Sequence, residues 1–293
     1  MGLLCLGAVA YWSTQYHPFV LPNNDYYSFE RAAKAFASGE LPRSFKRAPV
    51  FPLLVAALAP AMPEPHPELH AALVLNMAFS IGVLVLLFRL ASRLLGAGAL
   101  LVPVLFATTA QFHAMALQPL VEPSLGFFCL LTLVLFQARS PWQYAAAAAA
   151  ALSRSEATTL IPVLFFINWG FDGRFWRNAA LAALASIPFL AWAVVGAVRG
   201  SGASFYVVLM EGTGWAVAPG FLVSCYREPF AGWFVGGGIL IVPFLVLAVA
   251  PTLVGVVVGL RSFRREAIAM LAFLGLSAAA IVVFGIDKAR YVY

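Results

Sequence analysis

Long apolar stretches separated by short polar segments dominate the chain. As helices, these stretches would cross or nearly cross a hydrocarbon core roughly 30 Å thick. The pattern predicts about nine membrane helices, near residues 3–20, 69–91, 97–111, 121–138, 143–153, 157–169, 177–198, 232–259 and 267–286. The sequence therefore predicts an all-α, polytopic membrane protein. The two short stretches 143–153 and 157–169 could instead form a bent hairpin.

The first loop, about residues 21–69, is the longest polar segment between predicted spans. Its segment DYYSFERAAKAFASGEL begins at Asp25 and contains a typical helix stop at Gly39. Apolar residues recur there at helical spacing: Tyr26, Phe29, Ala33 and Phe36. The stretch 48–62 is apolar but short and interrupted by prolines, which favours a half-inserted or surface-lying segment. We expect amphipathic helices that lie on the membrane surface.

Composition supports lipid as the main solvent of the chain. Hydrophobic residues make up 62% and charged residues only 10%, whereas soluble domains have about 25% charged residues. The three cysteines form no CxxC motif, and no Walker loop, dinucleotide fingerprint or nucleophile elbow is present. The basic isoelectric point is explained by membrane topology, so we expect no nucleic-acid partner.

Tryptophan and tyrosine residues lie near the ends of predicted spans, where amphipathic rings are stable at the headgroup level. We expect them to act as interfacial anchors: Trp12, Tyr16, Trp142, Trp169, Trp176 and Trp233. The seven alanines at 145–151 favour a helix that packs closely against its neighbours.

The distribution of basic residues between the spans predicts an orientation. With the N-terminus inside, the inner side receives a set of arginines and two carboxylates: Arg89, Arg93, Arg139, Arg174, Arg177, Arg261, Arg264 and Arg265, with Asp172 and Glu266. The positive-inside rule then places the first loop outside the cytoplasm. That loop is itself rich in Lys and Arg, so either the orientation is inverted or these cations have a local task.

Two carboxylates, Asp25 and Glu122, are candidate catalytic residues. Asp25 precedes a predicted helix, so it could accept backbone N–H bonds as an N-cap, or act as a general base for an acceptor hydroxyl. Glu122 begins a predicted span, where it could interact with the helix dipole or orient a sugar or nucleophile.

Several cations are candidates for binding a phosphate. Arg154 is costly between apolar segments unless it meets an anion, which could be Glu156, Glu122 or a phosphate. The basic cluster of the first loop could bind anionic headgroups or a polyprenyl phosphate. The remaining candidate substrate-binding or phosphate-binding residues are Tyr26, Arg43, Lys46, Arg47, Glu156, Lys288 and Arg290.

The segment EPHPELH, residues 64–70, offers two histidines and two carboxylates. Pro65 and Pro67 prevent a continuous helical His-x-x-x-His face, so a divalent metal is the minor alternative here. We expect no metal site and no cofactor.

Five segments, in order, carry a family resemblance. They are DYYSFERAAKAFASGEL at Asp25, KRAPVFPLLVAAL at Lys46, VEPSLGFF around Glu122, LSRSEATTLIP around Arg154, and the final KARYVY. Together they resemble the GT-C superfamily of polytopic glycosyltransferases, especially bacterial family 39 relatives of the protein O-mannosyltransferases and of the lipid A aminoarabinose transferase. The resemblance covers nearly the whole chain.

The resemblance implies a single GT-C-like transmembrane domain over 1–293, truncated at the C-terminus, with truncation at the N-terminus left open. It implies a hexosyl- or pentosyltransferase of the bacterial inner membrane, with its site facing the periplasm or exterior. The donor would be a polyprenyl-phosphate sugar and the acceptor a glycan, lipid or protein hydroxyl. Asp25 would be the catalytic carboxylate, Glu122 the second acidic residue, and Arg154 and Arg290 candidate ligands of the lipid phosphate. A non-enzymatic transporter or flippase of a lipid or small anion is the alternative.

Overall fold

The computed structural model describes residues 1–15, 25–45 and 47–199, together with residues 261, 264, 265, 268, 271 and 272. Helices account for 82% of these residues, and no β-strand occurs among them. The α-helices are α1 (Gly2–Gln15), α2 (Tyr26–Ala37), α3 (Val50–Leu58), α4 (Pro67–Leu95), α5 (Leu101–Ala107), α6 (Ala110–Leu117), α7 (Glu122–Gln137), α8 (Trp142–Ala151), α9 (Leu160–Asp172) and α10 (Phe175–Val198). Short 3-10 helices cover Ala59–Ala61, Gly96–Leu100 and Ser155–Thr159.

Two described helices are long and apolar enough to cross a membrane. They are Pro67–Arg93 within α4 and the whole of α10, with 27 and 24 residues. At 1.5 Å per residue, each reaches roughly 35–40 Å, which exceeds the hydrocarbon thickness. Apolar side chains of α10 are exposed along its length: Leu184, Ile187, Leu190, Val194 and Val198. The helices predicted at 69–91 and 177–198 are therefore confirmed.

The other predicted spans are helices of lesser length or fall outside the described residues. Helices α7, α8 and α9 occupy the positions predicted at 121–138, 143–153 and 157–169, and α1 covers the start of 3–20. Residues 16–20, the span 232–259 and most of 267–286 lie outside the described part of the chain. The arrangement of nine spans consequently remains a prediction.

The prediction of one continuous helix at 97–111 is wrong. A 3-10 helix and α5 end at Ala107, and α6 starts after a break at Thr108 and Thr109. The Thr109 hydroxyl accepts a hydrogen bond from the Phe112 backbone N–H at 3.3 Å, as an N-cap does. The apolar composition of this stretch gave no indication of the capping site. After the break, α6 runs back toward the start of α4.

Helices α4 and α7 lie side by side and run in the same direction. Near their starts, the Asn76 side-chain amide donates to the Gln118 carbonyl oxygen. Near their ends, Arg93 Nη1 donates to the Gln137 carbonyl oxygen at 3.2 Å. A parallel pair needs a connection that crosses back, and α5 and α6 supply it.

Close packing of α4 on α7 leads to a matched pair of predictions at two glycines. A Cβ at Gly82 would lie 2.5 Å from Cδ2 of Phe127, whose ring also packs on Phe79 and Phe128. We expect Gly82→Ala to destabilise the protein by about 1–3 kcal/mol. A Cβ at Gly126 would meet Val83 at an ordinary 3.7 Å, so Gly126→Ala should be neutral or stabilise by up to about 1 kcal/mol through helix propensity. Thermal unfolding in detergent, followed by circular dichroism, measures both, and equal effects would contradict the packing.

The amphipathic helix predicted after Asp25 is confirmed as α2, and Gly39 follows its end with φ +73°. Its apolar face, however, contacts protein. Tyr26, Phe29 and Ala33 are buried against Phe51 and Val55 of α3 and against the start of α4. The segment 48–62, predicted to be half-inserted or surface-lying, forms α3 and a short 3-10 helix that packs in the same cluster. An amphipathic pattern therefore predicted the helix but not what covers it.

Helices α8, α9 and α10 complete the described assembly. Four alanines of α8 are buried, as predicted for close packing: Ala146, Ala147, Ala150 and Ala151. The Val50 N–H donates to the Leu152 carbonyl oxygen at 3.1 Å, so α8 ends beside the start of α3. The ring of Trp192 lies 4.5 Å from that of Phe45, so the last turns of α10 also reach the first loop.

The assembly of described helices thus has two opposite ends, formed by different segments of the chain. The upper end contains α2, α3, the starts of α4 and α7, the end of α8 and the last turns of α10. The lower end contains the ends of α4, α7 and α9 and the start of α10. Trp142 and Trp176 are exposed at the lower end, as expected of interfacial anchors. Trp12 is fully buried and donates to His113 Nδ1 at 3.0 Å, so the anchor prediction is wrong for Trp12.

Candidate functional site

An ion pair joins the start of α2 to the segment before α3. Arg47 Nη2 donates to Asp25 Oδ1, and Arg47 Nε donates to Ser28 Oγ at 3.0 Å. The face of the guanidinium lies 5.1 Å from the centre of the Phe29 ring. Arg47 is therefore held from three sides by Asp25 and the first turn of α2, in the geometry that a planar guanidinium favours.

Asp25 does not act as the N-cap that its position predicted. Its side chain makes no capping hydrogen bond to α2, and its backbone already has helical angles, with φ −66° and ψ −31°. The Ser28 hydroxyl instead donates to the Asp25 carbonyl oxygen at 2.6 Å. The carboxylate contacts Arg47, and 43% of the Asp25 side chain is exposed. Of the two roles considered for Asp25, capping is excluded and proton transfer stays a prediction.

A second ion pair joins the first turn of α7 to the segment after α8. Arg154 Nη1 lies 2.8 Å from Glu122 Oε1, and only 17% and 24% of the two side chains are exposed. The bridge between Arg154 and Glu122, one of the alternatives from sequence, is confirmed. The other carboxylate oxygen of Glu122, Oε2, is buried and has no hydrogen-bond partner among the described residues. This carboxylate thus has one acceptor oxygen that no described group uses.

Both ion pairs lie at the upper end. Val121, directly before Glu122, packs in the same apolar cluster as Tyr26, directly after Asp25. The hydrogen bond between Val50 and Leu152 ties the chain that follows Arg47 to the chain that precedes Arg154. Four ionised residues from four separate segments consequently converge on one region.

Tyr26 packs in the core beneath this region. Its side chain is only 3% exposed, and burial, followed by the nearby carboxylates of Glu30 and Glu68, raises the pKa of its hydroxyl. The phenol therefore stays protonated at neutral pH and cannot act as a base. The structure favours a supporting role for Tyr26 over direct binding of substrate.

The remaining predicted residues are not brought into the two pairs. Arg43 is exposed and forms no ion pair within the described ranges. The backbone of Glu156 belongs to the 3-10 helix Ser155–Thr159, but its side chain lies outside the described atoms. Lys46, Lys288 and Arg290 also lie outside the described residues. Within the described ranges, no three His, Cys, Asp or Glu side chains are grouped as a metal site would require.

No protein family, curated protein or solved structure matches this chain. The resemblance to GT-C glycosyltransferases therefore stays an expectation.

Sequence reasoning missed two residues that position the site. Ser28 binds Arg47, and Asn76, fully buried in α4, holds the Gln118 carbonyl and thereby the loop before Glu122. A signal for Asn76 existed, because a polar side chain within an apolar span is costly unless it has a partner. Ser28 gave no comparable signal, because serine is common on exposed helix faces.

A buried polar network at the lower end was also missed. Arg265 donates to Asn168 Oδ1, the Asn168 amide lies 3.2 Å from the Tyr144 hydroxyl, and Arg265 Nη2 lies 3.6 Å from Asp172 Oδ2. Arg265 is only 8% exposed, and its guanidinium lies 4.6 Å from the centre of the Phe136 ring. This network ties residue 265 to α9 and neutralises Asp172.

Proposed function

We propose that the chain is a multi-pass membrane glycosyltransferase that moves a sugar from a polyprenyl-phosphate donor to an acceptor hydroxyl at the extracytoplasmic face. The carrying observation is the convergence of two arginine–carboxylate pairs, Asp25 with Arg47 and Glu122 with Arg154, at one end of an apolar helical assembly. Such groups are expensive near lipid, so their convergence favours a functional site.

The arginines suit a lipid-linked phosphate. A guanidinium makes bidentate, charge-assisted hydrogen bonds to phosphate oxygens. Glu122 binds Arg154 and Asp25 binds Arg47, so each carboxylate orients an arginine side chain before the ligand arrives. A donor with a phosphate group needs no nucleotide cradle, in agreement with the absence of phosphate-binding loops from the sequence.

The reaction follows as a direct displacement. The acceptor oxygen attacks the anomeric carbon while Asp25 takes the hydroxyl proton, and the bond from that carbon to the phosphate oxygen breaks. The electron pair leaves with the polyprenyl phosphate, whose developing negative charge is stabilised by Arg47 and Arg154. Glu122 Oε2 accepts a hydrogen bond from a hydroxyl of the sugar. Displacement from the opposite face inverts the anomeric configuration.

The pair between Asp25 and Arg47 links donor binding to the base. A phosphate that binds Arg47 competes with the Asp25 carboxylate for the same guanidinium. When the donor displaces Asp25 from Arg47, the carboxylate oxygen that had faced the guanidinium can accept the acceptor proton. The exposed half of the Asp25 side chain leaves room for that change.

The orientation is part of the proposal. Exposed arginines gather at the lower end: Arg89, Arg93, Arg139, Arg174 and Arg177. The positive-inside rule assigns that end to the cytoplasm and the upper end to the periplasm or exterior. Lys and Arg in the first loop oppose this assignment, and in the proposal they have the local task of attracting an anionic lipid substrate.

The test is transfer of label from radiolabelled polyprenyl-phosphate sugars by the purified full chain in detergent. We expect labelled acceptor to form together with free polyprenyl phosphate in equal amounts. The alternative, a transporter or flippase, predicts that the same lipid crosses the bilayer of a proteoliposome with its sugar still attached. Movement without cleavage across a panel of donors would refute the transferase.

A further inference from the structure

The turn between α9 and α10, residues 169–178 with sequence WGFDGRFWRN, lies at the lower end, far along the helices from the ion pairs. Gly173 reverses the chain there with φ +66°. Arg174 and Arg177 are exposed, and neither forms an ion pair with any described residue. Trp176 between them is 83% exposed. The turn thus presents an aromatic ring flanked by two cations.

Stacked rings hold this surface in place. Trp176 contacts Phe175 with ring centres 5.0 Å apart, Phe175 contacts Trp169 at 5.1 Å, and Trp169 stacks on Phe165 at 6.0 Å. An indole has an apolar body and a polar N–H, which suits it to the boundary between hydrocarbon and headgroups. The row of rings therefore fixes Trp176 at one depth relative to α10.

The buried Arg265 makes the turn positive. Asp172 is the one carboxylate among residues 169–178, and its Oδ2 lies 3.6 Å from Arg265 Nη2 behind the turn. The negative charge of Asp172 is thus balanced by Arg265 and does not offset the positive charges of Arg174 and Arg177. Arg261 and Arg264 are also exposed.

We propose that this turn binds the phosphate headgroups of anionic phospholipids in the leaflet that α10 enters. Helix α10 begins within this segment, at Phe175, is long and apolar enough to cross a membrane, and exposes its apolar side chains. The turn therefore lies where headgroups would meet it, and two uncompensated guanidinium groups complement their negative charge. The inference rests on the membrane location in the proposed function but not on sugar transfer.

The test compares binding of fluorescent phosphatidylglycerol and phosphatidylcholine to the full chain in neutral detergent, without any sugar donor. We expect the wild type to prefer phosphatidylglycerol. Because each basic residue near an anionic surface strengthens binding about fivefold, R174Q/R177Q should weaken that preference by about 25-fold. The control R89Q/R139Q removes two exposed arginines of the lower end that lie outside residues 169–178 and has the same net charge, so it should keep the preference.

Three outcomes would overturn the proposal. The first is an unchanged preference for phosphatidylglycerol in R174Q/R177Q. The second is an equal loss of preference in the control, which would indicate unspecific attraction. The third is full competition by inorganic phosphate, which would indicate a site for free anions. A charge-retaining variant, R174K/R177K, should preserve the preference if the double glutamine variant fails to fold. Since no donor is present, failure here leaves the transferase test unaffected, and the transfer assay can fail while lipid preference persists.

Discussion

Replacement of Asp25 by asparagine is expected to lower sugar transfer by about 10²- to 10⁴-fold, the usual contribution of a general base. Asparagine has nearly the same shape but cannot take a proton from the acceptor hydroxyl. The loss should appear in kcat, because the donor phosphate is held by arginines. Initial rates with radiolabelled polyprenyl-phosphate sugar measure it.

Two comparisons separate the base from a structural effect. Glu40→Gln removes an exposed carboxylate just after α2 and should retain wild-type transfer. Arg47→Gln removes a ligand of the donor phosphate that also stabilises its developing charge, so it should raise KM for the donor as well as lower kcat, whereas Asp25→Asn should lower kcat alone. Full turnover by Asp25→Asn would exclude the carboxylate as the base.

Replacement of Arg154 by methionine is expected to reduce the free energy of unfolding by about 2–3 kcal/mol, because the variant leaves the largely buried Glu122 carboxylate without its charged donor. One oxygen of that carboxylate is buried and already lacks a partner within the described part of the chain, so little compensation is expected there. Donor binding should weaken as well. Thermal unfolding in detergent, followed by circular dichroism, measures the first effect, and the donor KM measures the second.

A double-mutant cycle identifies the pair as the cause. Glu122→Gln in the Arg154→Met background removes the stranded charge and should recover part of the lost stability, with a coupling of about 1–3 kcal/mol. Arg89→Met removes an exposed arginine of the lower end and should change stability little. Strict additivity of Glu122→Gln and Arg154→Met would show that the ion pair contributes nothing.

Local features of the fold were predictable from sequence. The apolar runs at 69–91 and 177–198 predicted α4 and α10, and the spacing of apolar residues after Asp25 predicted α2 with its end near Gly39. The break at Thr109 was missed because a single capping hydroxyl is a weak signal within an apolar run. The spacing of apolar residues along many positions predicts a helix, whereas a helix cap depends on the conformation of a single residue.

Candidate site residues were recognisable in part. Charges in a chain with few of them drew attention to Asp25, Glu122 and Arg154, whose costs near lipid demand partners. Arg47 was expected among the first-loop cations, but its partner was not. The role of Ser28 depends on Arg47, which lies 19 residues further along the chain and contacts α2 only in the folded protein.

The sequence alone determined the helical composition, the positions of most helices and the small set of candidate charged residues. Hydropathy and helical spacing are properties of neighbouring residues, so the sequence contains them directly. Only the tertiary structure decided that Asp25 pairs with Arg47 and Glu122 with Arg154, across 22 and 32 residues. It also decided that α3 covers the apolar face of α2. Such contacts depend on how helices pack in three dimensions, and many pairings of the same charges satisfy the one-dimensional pattern equally well.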